Sequence, residues 1–107
     1  MEHGPDPQRT DLPADLVTVL AALSDPADVQ RLMADLLSPA EARKVGERWA
    51  IMKGLTAGET HRAVRDRLGV SIATVSRGSR QLQFGAGGFD LALRTLRRLA
   101  SDAEGDA

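Results

Sequence analysis

Residues 59–82 read ETHRAVRDRLGVSIATVSRGSRQL, and the second half of this segment carries the side chains best suited to chemistry. Ile72, Ala73, Thr74, Ser76, Arg77, Ser79 and Arg80 together offer methyls, hydroxyls and guanidinium groups. A helix made only for solvent more often carries Glu and Lys. The types found here suit a DNA major groove. Methyls meet thymine methyls, hydroxyls reach phosphates or bridging waters, and guanidinium forks pair with guanine edges or phosphates. Arg62 and Arg65 lie three apart and share a helix face from which both can reach a phosphate or a guanine. The alternative for that pair is a solvated charged face that also includes Asp66 and Arg67. Ile72 reads equally well as a core residue. His61 lies near the basic face, with an ordinary surface histidine as the simpler reading.

Presenting those groups takes two short helices joined by a tight turn. Val64 and Leu68 are four apart and share a face of the first helix. Gly69 stands where the helix needs a residue that tolerates a left-handed backbone. Val70 enters the turn as an apolar plug, and Ser71 is placed to cap the second helix. Val75 and Leu82 then pack the second helix back on the first. The spacing predicts a helix-turn-helix over residues 59–82. Arg65 departs from the pattern, because a small residue usually occupies the position four before the turn glycine. A plain helical hairpin is the alternative.

The rest of the chain supplies helices and little else. Residues 1–11 hold Gly, Pro, Asp and Arg with nothing to bury, which predicts a disordered tail. A helical stripe of Leu16, Val19, Leu20 and Leu23 ends at Ser24-Asp25-Pro26. Pro26 then suits the first turn of a second helix carrying Val29, Leu32, Met33, Leu36 and Leu37. Ser38-Pro39-Ala40-Glu41 is a helix start with a cap, a first-turn proline and a capping-box glutamate. The third helix runs to about Thr56, with Val45, Trp49, Met52 and Leu55 on one side, and Ala57-Gly58 stops it. Trp49 reads as core. After the second half of the helix-turn-helix, Phe84 to Gly88 form a joint. Phe89, Leu91, Leu93, Leu96 and Leu99 mark a last helix, and residues 101–107 read as an acidic disordered tail. The expected fold class is all-α, a helical bundle over residues 12–100 with a helix-turn-helix inside it.

Composition narrows the function classes. The chain has 107 residues, enough for one domain with a modest core. Its net charge is −1, but residues 43–80 hold nine Lys or Arg against three Asp or Glu, about +6 locally. A basic middle with acidic ends fits a DNA-binding face, with chance clustering as the alternative. There is no cysteine and only two histidines, so no thiol-ligated metal, disulfide or nucleophilic triad is available. Asp and Glu form no convergent pair, and the glycines at 85–88 lack the strand and the Lys-Ser/Thr of a phosphate loop. The expectation is no enzyme, no metal and no resident cofactor. No apolar run approaches a membrane span, and residues 1–10 lack a signal-peptide core, which predicts a cytoplasmic protein.

Two stretches, LLSPAEARKVGERW, with its arginine ten residues after Ser38, and GVSIATVSRGS, together resemble the tryptophan repressor superfamily over about residues 36–82. The most specific is IATVSRGS, since an Arg-Gly-Ser in the middle of a recognition helix is unusual for helix-turn-helix proteins. LQFGAGGF after it is similar to a less characterised branch of the same superfamily. The resemblance implies a bacterial transcriptional repressor, an intertwined homodimer whose outer helices form a shared core. It places Arg62, Arg65, Ile72, Ala73, Thr74, Ser76 and Ser79 at DNA-facing positions. Ser71 and Arg80 complete the expected DNA-binding set.

The same resemblance implies an effector site for L-tryptophan as co-repressor. Arg48 and Arg77 match the two arginines that sandwich the indole ring, one of which also binds the carboxylate. Ser38 matches a Thr that helps hold the carboxylate, and Leu37 a residue whose carbonyl meets the amino group. Gly78 matches a glycine that leaves space against the ring. Gln81 departs from the family, standing where a hydroxyl residue meets the ligand amino group. The segment 59–68 is also one residue shorter than in tryptophan-sensing members. The expected function is a tryptophan-responsive, operator-binding repressor of tryptophan biosynthesis or transport genes. A regulator of the same superfamily that does not sense tryptophan is the alternative, and a helical protein-interaction module is the alternative from another class.

Overall fold

The structure is a computed structural model and describes residues 11–105. Among them are six helices and no strand: α1 (Ala14–Ala22), α2 (Pro26–Leu36), α3 (Pro39–Thr56), α4 (His61–Leu68), α5 (Ile72–Phe84) and α6 (Gly88–Gly105). The fold class is all-α, as the periodicity predicts. The expected N-terminal tail lies almost wholly outside the described residues, as do residues 106–107. The chain divides into two compact units, residues 1–42 and residues 43–107.

Caps set the helix boundaries of the first unit. The Asp25 carboxylate accepts the Ala27 N–H at 2.9 Å, and Pro26 opens α2 at a position whose N–H has no helical partner. At the start of α3 the Ser38 hydroxyl accepts the Glu41 N–H at 3.1 Å, while Glu41 accepts the Ser38 N–H at 2.9 Å. This is the reciprocal capping box that the residue order predicts. Among its described residues the first unit buries no side chain completely. Leu16, Leu20, Leu23, Val29, Leu32, Met33 and Leu37 are half-buried, while Val17, Val19 and Leu36 are exposed.

The second unit has a small dry centre. Ile51 of α3, Val64 of α4 and Val75 of α5 are buried, with Leu55, Leu68 and Val70 packed around them. Gly69 closes α4 with φ +69°, and its N–H and that of Val70 both donate to the Arg65 carbonyl. The turn is therefore the predicted one, with Val70 plugged against the centre.

Two glycines let the helices approach. A Cβ on Gly54 would lie 2.7 Å from Arg67 Nη2, 2.8 Å from Glu59 Oε1 and 3.1 Å from Val64 Cγ2. Beside it, Arg67 grips Glu59 through two hydrogen bonds of 3.0 and 2.6 Å. That fork raises the Arg67 pKa and ties the end of α4 to the turn between α3 and α4. On α5, a Cβ on Gly78 would lie 2.6 Å from Ile51 Cγ2.

Three details differ from the expectation. Trp49 is 38% exposed and Val45 48%, because Ile51 and Gly54 face α4 and α5 instead. At about 100° per residue, that choice turns the expected stripe to the edge of the buried side. The Trp49 ring meets Phe89 edge-on at 5.0 Å and 68°. The joint is shorter than expected: Phe84 ends α5 and Gly88 begins α6, leaving residues 85–87, with Gly87 at φ +83°. Finally, α6 runs five residues into the expected acidic tail. Ala100, Ala103 and Glu104 are good helix formers, and no Gly or Pro intervenes before Gly105.

Gly78→Ala tests the close approach. Alanine normally gains about 1 kcal/mol over glycine inside a helix. Here it is expected instead to destabilise by roughly 1–3 kcal/mol, because β-branched Ile51 has no free rotamer to yield into. Thermal denaturation followed by circular dichroism reads the sign.

Candidate nucleic-acid interface and ligand cleft

The reading helix begins at a cap. The Ser71 hydroxyl accepts the Thr74 N–H at 3.1 Å, and Thr60 does the same for Ala63 at the head of α4. Both α4 and α5 therefore present ordered N-terminal turns, where backbone N–H groups and the helix dipole favour an anion such as phosphate.

The outward residues of α5 divide into two groups. Ser71, Ile72, Ala73, Ser76, Arg77 and Arg80 are exposed, while Thr74 and Ser79 are half-buried. At 43% exposure Ile72 is a surface methyl group and not part of the centre. On α4, Arg62 and His61 are exposed, whereas Arg65 is half-buried. Arg65 Nε donates to Asp66 Oδ1 at 2.8 Å, a hydrogen bond and charge contact that raise its pKa. The two arginines of the predicted pair thus differ. Arg62 is unengaged among the described residues, and Arg65 must exchange or share Asp66 to meet a phosphate. Arg65 also shows why a large residue is tolerated before the turn. Only its backbone carbonyl is needed there, and the side chain runs outward.

On the other flank of α5, a cleft of about 700 Å³ opens toward α3. Lys44, Glu47, Arg48, Ile51 and Met52 line it from α3, and Thr74, Arg77, Gly78 and Gln81 from α5. Its size falls within the range of small-molecule sites. The structure thus brings together Arg48, Arg77, Gly78 and Gln81 of the six expected ligand residues. Leu37 and Ser38 belong to the first compact unit, at the α2–α3 junction, where Ser38 caps α3. Three cationic side chains and one carboxylate suit an anionic or zwitterionic ligand. Arg77 is exposed, and its Nη2 donates to Thr74 Oγ1 at 3.2 Å, leaving most of the N–H groups of the guanidinium for other partners.

Gly78 serves the protein before it serves any ligand. Its missing Cβ makes room for Ile51, so the packing accounts for this glycine by itself. The exposed Gln81 side chain lies close to Gly85, where a Cβ would be 2.6 Å from its Nε2. Sequence reading missed Lys44, Glu47 and Thr74 as cleft residues. A signal for them existed, since Lys44 is four before Arg48 and Thr74 three before Arg77, the spacings that share a helix face. Among the described residues no cluster of His, Cys, Asp and Glu could hold a metal, and no helix is long and apolar enough to cross a membrane.

Comparison with known proteins points to one description. Residues 14–97 match the family model described as Trp repressor protein. A candidate Trp repressor from Staphylococcus aureus, known as a crystal structure, superposes with a TM-score of 0.71 over 78% of this chain and 83% of that one, at 24% identity. At that identity the likeness is one of fold. No curated protein matches the chain.

Within the interface, Ser71 carries a structural duty whatever it touches outside. Ser71→Ala is expected to cost roughly 0.5–2 kcal/mol of stability, and Ser71→Asp to recover most of it, since both Ser and Asp accept the Thr74 N–H. Chemical denaturation of the two variants separates the cap from any phosphate contact.

Proposed function

This chain belongs to the Trp repressor family, and on that premise we propose that it is a sequence-specific repressor whose grip on its operator strengthens when L-tryptophan fills the α3–α5 cleft. Members of the family are helical, DNA-binding transcriptional regulators and not enzymes. The observation that carries the ligand reading is the meeting of Arg48 and Arg77 in one cleft, from the helix behind the reading head and from the reading helix itself.

The chemistry follows from that arrangement. A planar guanidinium stacks on an aromatic face and pairs with a carboxylate through its fork. An indole amino acid offers both partners on one small molecule. Bridging Arg48 and Arg77, it selects arrangements in which α5 is fixed against α3 and thereby shifts the population toward a DNA-competent head. Ile72, Ala73, Ser76 and Arg80 then face the groove, and Arg62 reaches a phosphate. Two such heads, about one DNA turn apart, come from a twofold homodimer. Exposed Val45, Trp49, Leu91, Leu96 and Leu99 supply apolar surface for that pairing. Tryptophan biosynthesis or transport genes in a bacterial cytoplasm are the corresponding targets.

A second reading has its own support in Gln81. This longer, amide-bearing side chain is packed against Gly85, and it replaces the hydroxyl that meets the amino group in tryptophan-sensing members. In this reading the chain is a regulator of the same family that answers to another ligand or to none.

Calorimetric titration of L-tryptophan separates the two. Saturation near one ligand per subunit, with Arg77→Ala losing at least tenfold in affinity, is the expected result, and no binding to folded wild-type protein sinks the tryptophan reading. DNA binding is tested independently by its salt dependence. The logarithmic slope is expected to reflect several released counterions and to shrink by about 1 in Arg62→Ala. A slope near zero would remove the DNA-binding reading.

A further inference from the structure

We propose that Thr74 is a positioning residue that sets Arg77 across the ligand cleft and connects it to the N-terminal cap of the reading helix. This inference rests on the proposal that the α3–α5 cleft binds tryptophan.

Three side chains on one row of α5, at positions 71, 74 and 77, form a continuous chain of polar contacts. Arg77 Nη2 donates to Thr74 Oγ1 at 3.2 Å. Thr74 Oγ1 and Ser71 Oγ lie 2.8 Å apart, and Ser71 Oγ accepts the Thr74 N–H at 3.1 Å. Because Thr74 accepts from Arg77, its own proton is free to go to Ser71, which satisfies all three groups at once. Thr74 is half-buried and lines the cleft beside Arg77 and Gly78.

This use of a threonine differs from that of Thr18 in α1 and Thr95 in α6. Thr18 and Thr95 turn their hydroxyls back on the carbonyls four residues earlier, at 3.0 and 2.9 Å. That is what helical threonines ordinarily do. Thr74 sits in the first turn and spends its hydroxyl on two side chains instead. One lies in the ligand cleft, and the other caps the helix end that faces DNA.

The physical consequence concerns Arg77. An exposed arginine samples many rotamers, and a ligand that stacks on it must halt that motion. Anchoring one corner of the guanidinium to Thr74 restricts its plane before the ligand arrives, while the remaining N–H groups are left for the ligand. The same hydroxyl touches Ser71, so ordering Arg77 also orders the cap. A gain in one direction implies an equal gain in the other, as any coupling between two binding events must. Thr74 thereby leaves the set of direct phosphate contacts and becomes the link between cleft and groove.

The test compares wild-type, Thr74→Val and Thr74→Ser proteins. Valine keeps the branched shape and loses the hydroxyl, while serine keeps the hydroxyl and loses the methyl. Calorimetry with L-tryptophan is expected to show about tenfold weaker binding for Thr74→Val, the size of one hydrogen bond to a charged group, and recovery to within about threefold for Thr74→Ser. Amide exchange at residue 74 is expected to slow on adding tryptophan to wild-type and Thr74→Ser proteins, and to be unmoved in Thr74→Val. Circular dichroism confirms that each variant is folded. Wild-type or tighter binding by Thr74→Val overturns the proposal. So does an equal loss in both variants, which would assign the effect to packing. Failure of the wild-type protein itself to bind tryptophan is a different result: it removes the ligand reading on which this one stands.

Discussion

Ile51, Val64 and Val75 form a contact among three side chains, one from each of α3, α4 and α5. Everything the second unit does depends on it. A helix-turn-helix buries little by itself, because two short helices have too few apolar positions to offset the ordering of their backbones. Seating Val64 and Val75 on Ile51 gives the pair a third wall. That seat exists only because Gly78 has no side chain where Ile51 needs to be.

The same contact explains why the α3–α5 cleft and the proposed nucleic-acid face share one helix. With Val75 turned inward, α5 has two remaining flanks. One carries Ile72, Ser76 and Arg80 toward solvent, and the other carries Thr74, Arg77, Gly78 and Gln81 along α3. Arg48 reaches that second flank because it lies three residues before Ile51, on the same side of α3. In the proposed function, a molecule held there touches both α5 and the helix that supports it, so ligand and DNA act on a single rigid element.

Charge is distributed to match. The helix-turn-helix and the cleft hold seven of the fourteen Lys and Arg residues, so a chain of net charge −1 can still meet DNA with a positive face. Two of the head's arginines are already paired inside the chain, Arg65 with Asp66 and Arg67 with Glu59. These pairs shape the head, while Arg62 and Arg80 add to its outer charge.

Much of this was legible in the order of residues. The capping box at Ser38, the left-handed glycine at position 69, the Ser71 cap and the all-helical class each depend on neighbours within four positions, and such local rules can be read along a sequence. Resemblance to a family added Arg48 and Arg77, which no local rule joins. Other features needed the folded chain. The side of α3 that faces inward, with Ile51 buried and Trp49 at the edge, is a choice between faces about 100° apart that apolar periodicity alone does not make. Gly78 reads in sequence as room for a ligand; the structure places it in the cleft and adds that its missing Cβ makes room for Ile51. The cleft positions of Lys44, Glu47 and Thr74, and the engagement of Arg65 with Asp66, likewise follow from packing between segments distant in sequence or from rotamers that packing selects. The sequence determined which helices form and where they begin. Tertiary contact decided which faces meet, because burial is a property of pairs of surfaces and a sequence states only one member of each pair at a time.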